Sequence, residues 1–227
     1  MTAAKEAQFT VEGAGEVSAL LLKPQQAHYL LVLAHGAGAG MRHRFLESLV
    51  AELAEAGVAT FRYQFPYMEQ GRRSPDRPDK LTATVKAAVA AAAKAMPGLP
   101  LFAGGKSMGG RMTSQAAALG LLPEIQGIVF FGFPLHPPKQ PGSKRADHLA
   151  KVEVPLLFLQ GTRDALDDLA LMRSVCAELG VRATLQIIAT ADHSFHVLKS
   201  SGKTDSEVLR ELALTASQWM EKKICST

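Results

Sequence analysis

A serine flanked by glycines is the residue of this chain best suited to do chemistry. Residues 105–109 have the sequence Gly-Lys-Ser-Met-Gly, the pattern G-x-S-x-G, and follow a short apolar run that begins at Pro100. This pattern is typical of a sharp turn from a strand into a helix that exposes a nucleophilic serine. The glycines let the two elements approach closely, and the helix N-terminus points free N–H groups toward charge that develops there. We predict that Ser107 is a nucleophile, and a plain glycine turn is the alternative.

A serine hydroxyl needs a general base, and the base needs a carboxylate that orients it. Asp164 follows a later apolar run, and His193 follows the next one. The resulting order Ser, Asp, His is the order found on sheets in which strands and helices alternate in this way. We therefore predict that Ser107, Asp164 and His193 act together.

Each partner has a competing interpretation. Asp164 could be the N-cap of the helix that follows it, and Asp167 and Asp168 are close enough to take the orienting role. His196 lies three residues after His193. Asp164 is favoured because it directly follows a strand end, and His193 because it is nearest to the last strand. Asp192 is expected to face solvent.

A glycine-rich loop, His35–Gly40, follows another apolar run. Acyl transfer needs two backbone donors where negative charge develops on the carbonyl oxygen. We predict the N–H groups of Met108 and Ala37 as this oxyanion hole, with Gly38 next to the substrate. The loop lacks the lysine and serine of a phosphate-binding P-loop and the ending of a dinucleotide fingerprint. A glycine turn without a ligand is the alternative.

Several basic residues lie near these loops. Lys106 and Arg111 flank Ser107, and the polar segment after Tyr63 carries Arg72, Arg73 and Arg77. Arg72 and Arg73 suggest a substrate with a carboxylate, whereas a solvated loop is the plainer interpretation. For Lys106 a solvated surface lysine is the favoured interpretation, and a contribution to positive potential is the alternative.

Strands and helices alternate from Tyr29 onward, and the strands are continuous apolar runs typical of a parallel sheet. We predict an α/β fold with a doubly wound, mostly parallel sheet, an antiparallel N-terminal hairpin, and a single domain over residues 1–227. Helices are expected over His43–Ala56, Leu81–Met96, Arg111–Leu119, Leu166–Leu179 and Ser206–Lys222. Strands are expected over Phe9–Val11, Val17–Leu22, Tyr29–Ala34, Val58–Tyr63, Gly127–Phe131, Pro155–Gln160 and Thr184–Ile188, and in the run before Ser107. Gln64–Asp79 and Phe133–Val154 are expected to be loops.

Composition excludes several classes of protein. The net charge of +4 over 227 residues and the lack of a dense basic run do not suggest nucleic-acid binding. No apolar stretch is long enough for a membrane span or a secretory signal, and the cysteines Cys176 and Cys225 suggest neither a disulfide framework nor a metal site. We expect a cytoplasmic protein that is a monomer or a homodimer.

The chain resembles a known family in several motifs together. They are residues 105–111 (GKSMGGR), 65–67 (FPY), 133–138 (FPLHPP) and 160–164 (QGTRD). They resemble the small α/β-hydrolase family related to dienelactone hydrolases, whose animal relatives include a testis-expressed protein and a subunit of the non-specific-lethal histone acetyltransferase complex. The resemblance extends from Tyr29 to Trp219.

The resemblance implies an α/β-hydrolase fold, a Ser107, Asp164, His193 triad, and no metal or organic cofactor. Dienelactone hydrolases proper use a cysteine nucleophile, so their substrate class does not transfer to Ser107. The short connection after the strand ending at Phe131 replaces a large lid, which implies an open site. His136, in this connection, is expected near its mouth, with a binding or a structural role.

Two classes of function remain. The first is a serine hydrolase that cleaves a small ester or thioester through an acyl-enzyme on Ser107. The second is an interaction module that keeps the fold without catalysis. The presence of all three polar residues favours the enzyme, and a lyase or haloperoxidase-like enzyme would use the same residues.

Overall fold

The computed structural model describes residues 3–225, which form one mixed sheet with helices on both faces. The strands are β1 (Lys5–Val11), β2 (Gly15–Leu22), β3 (Tyr29–Ala34), β4 (Val58–Tyr63), β5 (Leu101–Lys106), β6 (Ile128–Phe131), β7 (Leu156–Gly161) and β8 (Ala183–Ile188). The α-helices are α1 (Arg44–Glu55), α2 (Pro66–Glu69), α3 (Pro78–Ala95), α4 (Met108–Ala118), α5 (Leu169–Leu179) and α6 (Asp205–Cys225).

The strand order confirms the predicted α/β sheet. The eight strands lie in the order β1-β2-β4-β3-β5-β6-β7-β8. β1 and β2 form an antiparallel hairpin at one edge, and β2 pairs antiparallel with β4. All remaining pairings are parallel. The carboxyl ends of β3 and β5–β8 therefore meet at one edge, where ligands bind in sheets of this kind.

Apolar side chains fill both faces of the sheet. In β3 the buried residues alternate: Leu30 and Val32 join the core under α3, α4 and α5, whereas Leu31 and Leu33 join the core under α1 and α6. This is why the central strands are continuous apolar runs rather than alternating ones.

Helices α4 and α5 begin at residues other than those expected from the sequence. α4 begins at Met108 rather than at Arg111, because the helix starts directly from the turn at Ser107. α5 begins at Leu169 rather than at Leu166, and its N-cap is Asp168, whose side chain accepts from the N–H groups of Ala170 and Leu171. The alternative in which Asp164 caps this helix is therefore wrong.

The two expected loops contain short helices. Residues 64–79 include the single turn α2, and α3 begins at Pro78. Residues 133–154 include a 3₁₀ helix, Lys144–Lys151, and form a short connection rather than a large lid. Among residues 3–225 no helix is long and apolar enough to cross a membrane.

Candidate active site

Ser107 occupies a strained turn between β5 and α4. Its backbone has φ 52° and ψ −117°, a conformation that side-chain-bearing residues rarely adopt. The turn is tight because a Cβ on Gly109 would lie 2.5 Å from the carbonyl oxygen of Ala34. The main chain also anchors the turn, since the N–H of Ser107 donates to Phe131 at 3.3 Å. The turn places Ser107 at the carboxyl end of β5.

His193 lies in the loop after β8 and contacts the serine. Its Nε2 is 2.9 Å from Ser107 Oγ, and its Nδ1 is 2.7 Å from Asp164 Oδ2. A carboxylate can only accept, so the ring proton lies on Nδ1, and Nε2 is free to accept from the serine hydroxyl. The imidazole is 26% exposed, whereas the Asp164 side chain is 1% exposed. Solvent and substrate can thus reach the histidine but not the carboxylate.

Asp164 is held by two donors besides the histidine. Gln160 Nε2 donates to Oδ2 at 2.9 Å, and the N–H of Leu166 donates to Oδ1 at 2.8 Å. The amide of Gln160 is itself oriented, since its Oε1 accepts from the N–H of Phe133 at 3.0 Å. Sequence reasoning did not single out Gln160. The available signal was one polar residue at the end of an otherwise apolar strand, which suggests a buried amide with partners.

The competing residues are used elsewhere. His196 is exposed and its Nδ1 lies 2.7 Å from Asp205. Asp192 does not simply face solvent: its Oδ1 accepts from the N–H groups of Ser194 and His196, which braces the loop that carries His193. Burial, and then the neighbouring Asp164, raises the pKa of Asp167 to about 7. Among the residues that the structure describes, Asp164 is the carboxylate that is hydrogen-bonded to the His193 imidazole.

The glycine-rich loop is fastened by a buried histidine. His35 Nε2 accepts from the N–H of Phe65 at 3.1 Å, so its Nδ1 carries the proton and donates to the carbonyl of Gly36 at 2.7 Å. Burial lowers the pKa of His35 to about 4, which keeps the ring neutral. The N–H of Gly38 donates to Tyr67 Oη at 3.1 Å and is therefore engaged.

The N–H groups of Ala37 and Met108, predicted to form the oxyanion hole, are free to donate. No acceptor within residues 3–225 takes the N–H of Ala37, and Met108 is the first residue of α4, so its N–H lacks an intrahelical partner. Ala37, Ser107 and Met108 line the same cavity, of about 310 Å³. Its other lining residues are Pro75, Asp76, Pro78, Leu81, Arg111, Met112, Pro134, Arg145 and Leu166. A larger cavity of about 660 Å³ lies beside β2 and α1 and contains no serine or cysteine.

The prediction that Lys106 is a solvated surface lysine is wrong. Its ammonium is buried rather than solvated and has no hydrogen-bond partner, although part of its stem is exposed. Nζ lies 5.8 Å and 5.6 Å from the ring centroids of Phe45 and Phe195. Burial lowers the pKa of this lysine to about 8, against the opposing effect of Asp164.

The other predicted binding residues do not line the cavity beside Ser107. Arg72 is bound to Asp76 at 2.6 Å, and the side chains of Arg73 and Arg77 are exposed. His136 is buried, and its Nδ1 lies 2.8 Å from the carbonyl of Pro137. It fastens the connection that contains it. A role in substrate binding for Arg72, Arg73, Gly38 and His136 stays a prediction.

Several solved structures are similar to this chain over nearly its whole length, among them the following three. Dienelactone hydrolase from Anabaena variabilis has a TM-score of 0.75 and 21% identity, with 96% of this chain and 98% of that chain covered. A serine hydrolase from Xanthomonas campestris, described as lacking a lid, has a TM-score of 0.74 and 18% identity, with 96% of each chain covered. The esterase domain of a Rhodothermus marinus protein has a TM-score of 0.72 and 15% identity, with 96% and 98% covered. At these identities the similarity establishes the fold.

A family model described as the alpha/beta hydrolase domain matches residues 27–221. The match contains every strand from β3 to β8 and all three hydrogen-bonded polar residues of the site. The chain belongs to the alpha/beta hydrolase domain family.

Proposed function

We propose that the protein is a serine hydrolase that cleaves a small carboxylic ester or thioester through an acyl-enzyme on Ser107. One observation carries the proposal: the hydrogen bonds from Ser107 Oγ to His193 Nε2, 2.9 Å, and from His193 Nδ1 to Asp164 Oδ2, 2.7 Å. This is the geometry in which a histidine removes the serine proton while a carboxylate fixes its tautomer.

The reaction follows from these contacts. Ser107 Oγ attacks the carbonyl carbon as its proton moves to His193 Nε2, and the N–H groups of Ala37 and Met108 donate to the oxyanion. The tetrahedral intermediate collapses, the leaving alcohol or thiol takes the proton from Nε2, and the acyl group stays on Oγ. Water then gives a proton to Nε2 as its oxygen attacks the acyl carbon. The second tetrahedral intermediate collapses, the bond to Oγ breaks as Nε2 returns the proton to Oγ, and the acid leaves.

Asp164 has two roles in this scheme. It accepts from Nδ1–H, which fixes the ring orientation, and its negative charge stabilises the imidazolium that forms at each proton transfer. Gln160 and the N–H of Leu166 hold the carboxylate in this position. Neither donor touches substrate, so Gln160 is a positioning residue.

The direct test is hydrolysis of short p-nitrophenyl esters and acyl thioesters. We expect turnover by the wild-type protein, a loss of at least about 1,000-fold in kcat for Ser107→Ala, and a comparable loss for His193→Gln. Ser174→Ala is the matched control, since Ser174 is exposed on α5. Equal rates for wild type and Ser107→Ala would overturn the proposal.

A further inference from the structure

Two arginines that come from separate parts of the chain line the cavity that contains Ser107. Arg111 lies in the first turn of α4, and its N–H donates to the carbonyl of Ser107. Arg145 lies in the first turn of the 3₁₀ helix Lys144–Lys151. The fold thus brings two positive charges to the wall of one small cavity beside the nucleophile.

In the part of the chain that the structure describes, no carboxylate forms an ion pair with these arginines. Arg111 Nε is buried without a hydrogen-bond partner. Arg145 uses Nη1 to donate to the carbonyl of His136 at 3.0 Å, which fixes its position without removing its charge. Burial lowers the pKa of both arginines, and for Arg111 the nearby Arg145 adds to this effect.

The neighbouring groups do not supply the missing anion. Asp76 also lines the cavity, and its Oδ1 is 2.6 Å from Arg72 and 3.8 Å from Lys80. Its Oδ2 is buried without a hydrogen-bond partner among the described residues, and it forms no ion pair with Arg111 or Arg145. His148 lies near Arg111, and burial followed by the charge of Arg111 lowers its pKa to about 4. A partly buried cation without a paired anion costs free energy, so two of them in one cavity need a reason other than stability.

We propose that Arg111 and Arg145 bind an oxyanion group of the substrate, a carboxylate or a phosphate, while its ester carbonyl lies against Ser107. A guanidinium donates two parallel hydrogen bonds to such a group, and charge-assisted bonds of this kind are the strongest available in a polar site. The cavity of about 310 Å³ is at the small end of ligand pockets, which favours a short chain between the anion and the ester. The inference rests on the proposed function. It assigns the selection of a charged substrate to Arg111 and Arg145 rather than to Arg72 and Arg73.

The test compares three esters of one shape. Mono-p-nitrophenyl glutarate carries a carboxylate, p-nitrophenyl 4-phosphonobutyrate carries a phosphonate, and p-nitrophenyl methyl glutarate carries neither. We expect the wild-type protein to have a higher kcat/KM for an anionic ester than for the neutral one, mainly because KM is lower. Whether the carboxylate or the phosphonate ester is preferred then shows which anion the site binds. Arg111→Gln and Arg145→Gln should each reduce the ratio of anionic to neutral kcat/KM roughly 10- to 100-fold.

Two further measurements separate binding from a structural role. Arg173→Gln removes one exposed positive charge on α5 and should leave the ratio unchanged. The melting temperature of Arg111→Gln should be equal to or above that of wild type, because an unpaired cation is removed. A lower melting temperature together with an unchanged ratio would make Arg111 structural and overturn the inference.

Binding can be followed without turnover. Monomethyl glutarate and 4-phosphonobutyrate are titrated into Ser107→Ala by calorimetry, and Arg111→Gln in that background should weaken binding of the preferred anion at least about tenfold. If no ester is hydrolysed, but Ser107→Ala binds the anion and Arg111→Gln weakens that binding, the proposed function is wrong and the anion site is supported. If the neutral ester is hydrolysed and no variant alters the ratio, the anion site is wrong and the proposed function stands.

Discussion

Replacing Lys106 with methionine is expected to stabilise the protein at neutral pH. The Lys106 ammonium is buried without an acceptor between Phe45 and Phe195, and burial lowers its pKa from 10.5 to about 8. One pKa unit corresponds to about 1.4 kcal/mol, so holding the ammonium in the folded protein costs up to about 3.5 kcal/mol. Weak attraction to the two rings offsets part of this cost. We predict that Lys106→Met raises the free energy of unfolding by about 1–3 kcal/mol at pH 7.

The lowered pKa of Lys106 also determines how the stability difference between Lys106→Met and wild type changes with pH. Below pH 8 the lysine is charged in both the folded and the unfolded chain, and the folded state bears the full cost. Between pH 8 and 10.5 the folded protein releases its proton first, so the wild type gains stability as pH rises, whereas Lys106→Met does not. The advantage of the variant should therefore shrink from pH 7 to pH 9.5.

Urea unfolding followed by tryptophan fluorescence measures both effects. Trp219 is the single tryptophan of the chain and is buried, with its Nε1 donating to Thr184 Oγ1 at 3.2 Å. Lys86→Met is the matched control, since Lys86 is exposed on α3, and its effect should not change over this pH range. A Lys106→Met variant that is less stable at pH 7, or whose advantage stays constant up to pH 9.5, would refute this reasoning.

Three further predictions concern the supports of the site. Because burial raises the pKa of Asp167 from 3.8 to about 7, the folded state loses stability as pH rises from 4 to 7. In urea unfolding, the free energy of unfolding of Asp167→Asn should equal that of wild type near pH 4 and exceed it by about 1–3 kcal/mol at pH 8. A difference that does not change with pH would contradict the raised pKa. Gly104→Ala places a Cβ 2.1 Å from the carbonyl oxygen of Val129, so we expect a loss of at least about 2 kcal/mol, and an unchanged melting temperature would contradict the packing. Gln160→Met removes one donor to Asp164, so the rate of serine acylation should fall about 10-fold or more. The same substitution in the Ser107→Ala background should leave substrate binding unchanged. Acylation at the wild-type rate would show that the amide does not position the carboxylate.

The central strands could be predicted from the sequence because both faces of the sheet are covered. β3 and β4 have the predicted boundaries, and β6, β7 and β8 differ from theirs by one residue at one or both ends. Continuous apolar runs broken by glycines define such strands locally. The order of the three polar residues was predicted as well, since each lies in the turn or loop after a strand whose carboxyl end is at the same edge of the sheet.

What the sequence did not reveal depends on contacts between distant segments. Lys106 is next to Ser107, yet its burial is set by Phe45 and Phe195, which lie far from it in sequence. Arg145 lies in a segment expected to be a loop, and only the folded chain brings it to the cavity that Arg111 lines. The start of α4 was placed three residues late because two glycines disfavour a helix, and tertiary packing of the turn overrides this preference.

Covalent labelling with a fluorophosphonate probe tests most directly whether Ser107 is an activated nucleophile. The intact wild-type protein should gain one probe adduct that peptide mass spectrometry assigns to Ser107, and Ser174→Ala should label equally. Ser107→Ala should gain none, and His193→Gln should label far more slowly, because the base that accepts the serine proton is absent. Folded wild-type protein that stays unlabelled, or that labels equally without Ser107, would contradict the proposed chemistry.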